Sequence, residues 1–143
     1  LITFTGRIPY AEVPAYMRLL DVALSTQTNN LPGQVRTTGK VPEYMAAGCF
    51  ILASKVGEAE LLLPAEMVIP FNGEVDHEYP ARLAGRIREV LANPEMLALR
   101  ESLPERAART CSYEVLSLEW INVINQSLRE LGKAELPVAN PIS

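Results

Sequence analysis

The sequence predicts an α/β fold: a parallel sheet of about four strands, helices that flank it, and a helical carboxyl-terminal end. Short apolar segments alternate with helical segments, which is the pattern of parallel strands joined by crossover helices. The first apolar segment is rich in β-branched and aromatic residues and is closed by Gly6. The last part of the chain contains helical patterns without further strands. The predicted strands are Leu1–Thr5, Val22–Thr26, Phe50–Ala53 and Met67–Pro70.

The helices are predicted from apolar residues that recur every three or four positions. The clearest of them covers residues 82–92, where the apolar residues share one side. The first helix should begin near Glu12, because Pro14 is tolerated only in the first turn. Ser112 is a candidate N-cap for the last helix, which should run from residue 113 to about residue 131. Residues 27–38 and 71–79 are predicted to be loops, and Pro104 should divide the helical stretch that starts at Pro94.

Composition and charge are those of an ordinary globular chain. The 143 residues allow one domain or part of one, 48% of them are hydrophobic, and the net charge is −4. This charge gives no electrostatic reason to expect a nucleic-acid partner. The sequence begins without a methionine or a signal peptide, so we expect a fragment of a cytoplasmic protein, either free or at the inner membrane face. The expected domain covers residues 1–132, followed by a loose tail at 133–143.

Cysteine and histidine residues give no catalytic or metal-binding pattern. The two cysteines, Cys49 and Cys111, form neither a disulfide framework nor a zinc pattern. Cys49 leads into an apolar strand and is expected to be a small buried side chain. The one histidine, His77, lies in a polar loop with no nucleophile near it, and we expect it to be solvated. No Asp-x-Asp pattern or histidine cluster is present, so no metal site is predicted.

The stretch Gly33–Gly48, GQVRTTGKVPEYMAAG, is the strongest candidate for a functional site. It is a polar loop that turns into a short helix between two predicted strands. With Gly39 as the N-cap, the first helical amides lack intrahelical partners, and Pro42 costs nothing there. Gly39 lets the backbone approach an anion, while Lys40 and Arg36 supply positive charge. The loop follows a strand, and open α/β sheets bind ligands at the carboxyl ends of their strands.

Glu43 lies one helical turn after Lys40, on the same side of the predicted helix. A carboxylate accepts two hydrogen bonds, which suits a sugar diol, so this pair could bind the phosphates and the ribose of a nucleotide. The alternative is that Lys40 and Glu43 form a surface ion pair worth under about 1 kcal/mol, and that the loop is only a connection. The chain lacks G-x-G-x-x-G and the P-loop pattern, which argues against a nicotinamide dehydrogenase or an ATPase.

Five segments resemble, in order and spacing, the carboxyl-terminal donor-binding domain of family-4 retaining glycosyltransferases, which have the two-domain GT-B fold. The resemblance covers about residues 1–130, and its most specific part is K-x-x-E-Y-M-A-x-G. It implies a partial Rossmann-like sheet and transfer of a sugar, with retention, from a nucleotide-sugar donor that is UDP- or GDP-linked. It implies no cofactor and no metal. The segments are Phe4–Pro9, Val13–Tyr16, Asp21–Leu24, Gly39–Gly48 and Ile51–Gly57.

The resemblance also assigns roles within Gly33–Gly48. Thr38, Gly39 and Lys40 match the loop that meets the pyrophosphate, and Glu43 matches the glutamate that holds the donor ribose. Lys40 and Glu43 are therefore the candidate catalytic residues. Eight positions before Glu43, where the family has a glutamate that touches the transferred sugar, this chain has Val35. The resemblance therefore leaves the donor sugar open.

The beginning of the chain contributes the last two candidate ligands. Arg7 and Ile8 match a segment whose backbone contacts the donor base. A plain strand-to-helix turn is the alternative interpretation of this segment.

The resemblance further implies partners outside this chain. A complete enzyme has an amino-terminal acceptor domain, so that domain or a partner chain is missing here, and the acceptor is unknown. The apolar face of the last helix, which includes Trp120, could be exposed, pair in a homodimer, or pack in the core. The alternative function is a non-catalytic α/β interaction or regulatory module with a degenerate nucleotide pocket. Val35 favours that alternative, whereas Lys40 and Glu43 oppose it.

Overall fold

The computed structural model describes residues 2–137, and its core is a parallel sheet of three strands. The strands are β1 (Val22–Ser25), β2 (Phe50–Ser54) and β3 (Val68–Ile69), in the spatial order β1-β2-β3. Val22 lies opposite Phe50, and Ala53 lies opposite Val68. The predicted α/β class with a parallel sheet is confirmed.

The number of strands is three within residues 2–137, not about four. Residues 2–5 form no strand, and the side chain of Phe4 is 90% exposed. Leu1 lies outside the described residues. A strand is stabilised by a hydrogen-bonded neighbour and by side chains that pack on the sheet, and residues 2–5 have a β-type composition without either. The prediction of a strand at Leu1–Thr5 was therefore wrong for its described part.

The central strand β2 is the core of the molecule, because all five of its residues are buried. Successive side chains of a strand point to opposite faces, so both faces of β2 are covered. The helix α3 (Lys40–Ala46) packs on β1 and β2, and its residues Val41 and Met45 are fully buried. Lys40 and Glu43 of the same helix are exposed.

The helices agree with the predicted ones in order but differ in their bounds. A 3₁₀ helix at Tyr10–Glu12 precedes α1 (Val13–Met17), and α2 (Leu31–Val35) lies within the stretch that was predicted to be a loop. A longer 3₁₀ helix covers Pro94–Ser102, and α6 (Leu103–Cys111) begins directly after it, so the helical stretch is divided just before Pro104, which lies in the first turn of α6. The remaining helices are α4 (Glu58–Leu62), α5 (Tyr79–Ala92) and α7 (Tyr113–Glu130).

The chain forms two compact units, one that ends at Pro104 and one that begins at Glu105. The domain bounds 1–132 stay a prediction. The first unit contains the sheet and every candidate site residue. The second contains α7, whose N-cap Ser112 accepts a hydrogen bond from the amide of Val115 at 3.3 Å, as its sequence predicts.

The start of the expected loose tail is attached to α7. The buried Asn125 accepts a hydrogen bond from the Leu136 amide at 2.7 Å and donates one to the Leu136 carbonyl at 3.0 Å. Residues 138–143 of that tail lie outside the described residues. Trp120, on the same helix, is 67% exposed, so it is not a core residue. Within residues 2–137, no helix has the length and apolarity needed to cross a membrane.

Candidate functional site

The loops that follow the three strands meet at the carboxyl edge of the sheet. Ser54, the last residue of β2, accepts a hydrogen bond from the Gln27 amide at 2.6 Å and donates one to the Gln27 carbonyl at 2.8 Å. The side-chain amide of Asn29 donates to the carbonyl of Phe71, which follows β3, at 3.4 Å. These bonds join the loops after β1, β2 and β3 into one edge, which is where ligands bind in open α/β sheets.

The helix α3 begins at this edge with the residues that the sequence singles out. Gly39 is its N-cap, Lys40 is its first residue, and both are exposed. A Cβ atom built on Gly39 would lie 3.6 Å from Oε1 of Glu43, so the Glu43 carboxylate reaches back to the start of the helix. Gly39 has a φ of −55°, which suits any residue, and a Cβ atom there would make only ordinary van der Waals contacts, so neither the backbone nor the described neighbours require glycine at this position.

No ion pair joins Lys40 to Glu43 anywhere in the part of the chain that the structure describes. Both side chains are exposed, and neither neutralises the other. The ion-pair interpretation of this spacing is therefore not realised in the structure. An ammonium group and a carboxylate remain available at the same end of α3.

Thr38, the residue before Gly39, is held by a hydrogen bond to another helix. Its amide donates to Oε1 of Glu58, the first residue of α4, at 3.0 Å. Its Oγ1 atom is buried and has no hydrogen-bond partner among residues 2–137. One of the amides predicted to meet a pyrophosphate is thus occupied by a carboxylate that sequence reasoning did not identify.

A cavity of about 230 Å³ lies beside Glu43, between α3 and the segment that contains α1. Its walls are mostly apolar, with the charged side chains of Arg18 and Glu43 among them. Sequence reasoning missed Tyr10, Met17 and Arg18 as members of this wall. The helical spacing of Val13 and Met17 was the available signal, but it was used only to predict a helix. The lining residues are Tyr10, Val13, Pro14, Met17, Arg18, Glu43, Ala46 and Ala47.

The predicted base-contacting residues do not line this cavity. Arg7 is exposed and Ile8 is half-buried in the irregular segment before the first 3₁₀ helix. The structure therefore does not bring their side chains into the walls around Glu43. Their predicted contact with the base is through the backbone, and it stays a prediction.

A second cavity, of about 380 Å³, lies on the other side of the loop before α3. Arg36 lines this cavity, so the structure separates Arg36 from the cavity beside Glu43. Val35 also lines it and is 72% exposed, at the position where the resemblance leads one to look for a glutamate. Two carboxylates that come from α4, those of Glu58 and Glu60, face the same space. The remaining lining residues are Gln34, Thr37, Gly57 and Leu61.

The other candidate reactive groups are inert or distant from this edge. Cys49 is buried, its thiol donates to the carbonyl of Met17 at 3.1 Å, and burial raises its pKa, so it is a poor nucleophile. Burial, followed by the negative groups of Cys49 and Glu43, raises the pKa of Tyr44. His77 is exposed, as expected. Within residues 2–137, no three His, Cys, Asp or Glu residues are grouped so that they could hold a metal ion.

Comparison with known proteins assigns this arrangement to a family. A family model described as "Glycosyl transferase-like" matches residues 1–119. Among solved structures, sucrose-phosphate synthase from Thermosynechococcus elongatus matches with a TM-score of 0.67 and 22% sequence identity. The match covers 90% of this chain and 30% of that protein, and it shows the fold, which is that of a fragment of a GT-B glycosyltransferase. A search of curated proteins finds no match. The chain belongs to the glycosyl transferase-like family.

Proposed function

We propose that this chain is the donor-binding part of a retaining glycosyltransferase that uses a UDP- or GDP-linked sugar. The observation that carries the proposal is the pair Lys40 and Glu43 at the start of α3, in a chain of the glycosyl transferase-like family. Both side chains are exposed at the carboxyl edge of the sheet and are not paired with each other. A cation and a carboxylate one helical turn apart match the phosphate and the diol of a nucleotide.

Glu43 has the surroundings that a nucleoside site needs. Its carboxylate reaches towards Gly39 and lines the mostly apolar cavity of about 230 Å³. We propose that it accepts hydrogen bonds from the two ribose hydroxyl groups. The apolar wall formed by Val13 and Met17 would cover the less polar parts of the nucleoside.

Lys40 and the adjacent backbone would act on the diphosphate. In sugar transfer, the bond between the anomeric carbon and the phosphate oxygen breaks, and its electron pair goes to the leaving diphosphate. The ammonium group of Lys40 and the amide of Gly39 would stabilise that charge, an effect worth several kcal/mol when such groups are well aimed. The acceptor hydroxyl forms the new bond to the anomeric carbon, and its proton passes to an oxygen of the leaving diphosphate. We propose retention of configuration and the absence of a metal requirement on the basis of the family resemblance alone.

The acceptor site belongs to a part of the enzyme that this chain does not contain. The chain spans 30% of the synthase that it resembles in fold. We propose that an acceptor domain, or a partner chain that supplies one, completes the active site. The acceptor then determines the product and is not specified by Lys40 or Glu43.

Titration of this chain with UDP, UDP-glucose and GDP-mannose tests the proposal, with the amide signals of residues 39–41 and 43 followed by NMR, since Pro42 has no amide proton. Because part of the site would lie outside the chain, we expect dissociation constants in the millimolar range. Glu43→Ala should abolish the shifts, whereas Glu66→Ala, at an exposed glutamate of a different segment, should leave them unchanged. No response of these amides to any of the three nucleotides at millimolar concentration would contradict the proposal.

A non-catalytic module is the second candidate function, and two observations favour it. Val35 stands where a sugar-contacting glutamate is expected, and the Thr38 amide is already bonded to Glu58. Glu43→Ala in the full-length protein separates the candidates. Loss of sugar transfer supports the enzyme, whereas unchanged transfer removes Glu43 from the proposed site.

A further inference from the structure

We propose that Glu58 is a positioning residue, which fixes the loop before α3 so that Gly39, Lys40 and Glu43 can meet the donor. This inference rests on the function proposed above but concerns a residue outside the set that would touch the ligand. Glu58 belongs to α4, twenty positions after Thr38 in the sequence, and its carboxylate accepts the Thr38 amide at 3.0 Å. It thereby joins the residue that precedes Gly39 to a different helix.

Charge and burial make this bond a strong one. Glu58 and Thr38 are both half-buried, and no ion pair of the Glu58 carboxylate occurs among residues 2–137. Hydrogen bonds between an ionised carboxylate and a backbone amide are roughly twice as strong as those between neutral groups. Loss of the bond would leave Thr38 with an unpaired amide in addition to its unpaired buried Oγ1 atom.

Gly57, the residue before Glu58, shapes the turn from which the Glu58 side chain extends. It has a φ of +59°, which favours glycine, and a Cβ atom built on it would lie 2.9 Å from the carbonyl oxygen of Gln34. The turn after β2 thus presses directly against the carboxyl-terminal part of α2. Since α2 leads into the loop and Glu58 holds the end of that loop, the turn supports the loop at two points.

The same contact could instead work against ligand binding, and the two roles predict opposite results. Glu58 lines the cavity that also contains Arg36, so its negative charge lies near a group that would attract phosphate. If repulsion dominated, removal of the charge would tighten anion binding. If positioning dominates, removal of the hydrogen bond weakens binding, and a neutral acceptor of the same shape preserves it. The fixed geometry of Gly57 and Thr38 favours positioning.

The experiment compares Glu58→Gln with Glu58→Ala in this chain, with Glu60→Gln as the matched control. Gln keeps an oxygen for the Thr38 amide but removes the charge, whereas Ala removes both. Glu60 lines the same cavity and pairs with Lys55 at 3.2 Å, so its substitution changes the local charge without touching the loop. The readouts are hydrogen exchange at the Thr38 amide and UDP affinity.

We expect Glu58→Ala to accelerate exchange of the Thr38 amide and to weaken UDP binding, each by about tenfold, while Glu58→Gln and Glu60→Gln change both by less than about threefold. Tighter UDP binding in both Glu58 variants, or an unchanged Thr38 exchange rate in Glu58→Ala, would overturn the proposal. If the unsubstituted chain binds no UDP, the donor-binding function fails, and faster exchange confined to residues 36–40 in Glu58→Ala still supports the positioning role. Should Glu58→Ala fail to fold, Glu58→Asp replaces it, because it keeps the charge but shortens the side chain that accepts the Thr38 amide; the same acceleration is expected, and an unchanged rate counts against the proposal.

Discussion

The hydroxyl group of Ser54 is hydrogen-bonded to both backbone groups of Gln27, accepting from the amide at 2.6 Å and donating to the carbonyl at 2.8 Å. Ser54 ends the central strand, and Gln27 lies just after the end of the neighbouring strand β1. One side chain thus continues the pairing of the two strands beyond the last residues of β1. The loop that leads to α3 starts from this fixed point.

Ser54→Ala should destabilise the first unit by about 1–3 kcal/mol, because it leaves two backbone groups of Gln27 without their partner. Urea unfolding measures the free energy of unfolding. Ser117→Ala is the matched control, since Ser117 is exposed on α7 and bonds only to a carbonyl within its own helix. Equal stability of the two variants would show that the Ser54 contact is not important to the fold.

Asp76 holds the loop before α5 through its carboxylate. Its surroundings predict that the stability of the fold depends on pH. Its carboxylate accepts hydrogen bonds from the amides of Asn72, Glu78 and Tyr79 and pairs with Arg82. The bond from the Asn72 amide is the largest cause that holds the pKa of Asp76 below its ordinary value. Burial, the next largest effect, opposes it, and the bonds from Arg82 and Glu78 lower the pKa further. A lowered pKa in the folded state stabilises the fold above the pKa of the unfolded chain. That stabilisation is lost as the pH falls through the folded-state pKa.

Asp76→Asn should therefore be less stable than the unsubstituted chain at pH 7, and the difference should shrink below about pH 4, where an ordinary aspartate protonates. Urea unfolding over this pH range measures it. Asp21→Asn, at an exposed aspartate, serves as the control. A difference that stays constant down to low pH would mean that the charge of Asp76 has no part in holding the loop.

Asn125→Ala should release the segment that follows α7. The side-chain amide of Asn125 is hydrogen-bonded to both backbone groups of Leu136, and the methyl side chain of alanine cannot form these bonds. We expect faster proteolytic cleavage between residues 131 and 137, measured by limited digestion and mass spectrometry. Gln126→Ala, at the exposed neighbour, should leave the cleavage rate unchanged. Unaltered cleavage in the Asn125 variant would contradict the anchoring role.

Lys40 and Glu43 should respond differently to ligands that contain different parts of a nucleotide. Lys40→Ala should weaken UDP binding by about tenfold but leave uridine binding unchanged, because uridine has no phosphate. Glu43→Ala should weaken both, and its effect should be smaller with 2′-deoxyuridine, which keeps only one hydroxyl of the diol. The measurement is NMR titration of the amides of residues 39–41 and 43. Equal effects of the two variants on UDP and uridine would remove the separate roles.

The sequence predicted α3 well because its signals are local. Gly39 as N-cap, Lys40 as first residue and the buried positions Val41 and Met45 all follow from spacing within one short stretch. The helix α2 was missed although its signal was equally local. Asn30 precedes Leu31 and Pro32 and accepts the Gly33 amide at 2.9 Å, which is an N-cap followed by a proline in the first turn. That signal was not used, and residues 27–38 were interpreted as one continuous loop.

What the sequence determined by itself is the alternation of strands and helices and the placement of Lys40 and Glu43 one turn apart, since both depend on residues near one another in the chain. Only the tertiary structure decided that residues 2–5 have no strand to pair with, that Tyr10 and Met17 line the cavity beside Glu43, and that Glu58 holds the Thr38 amide. Each of these depends on residues far apart in sequence, whose distance is set by how the helices pack on β2. Spacing along one segment carries no information on such contacts.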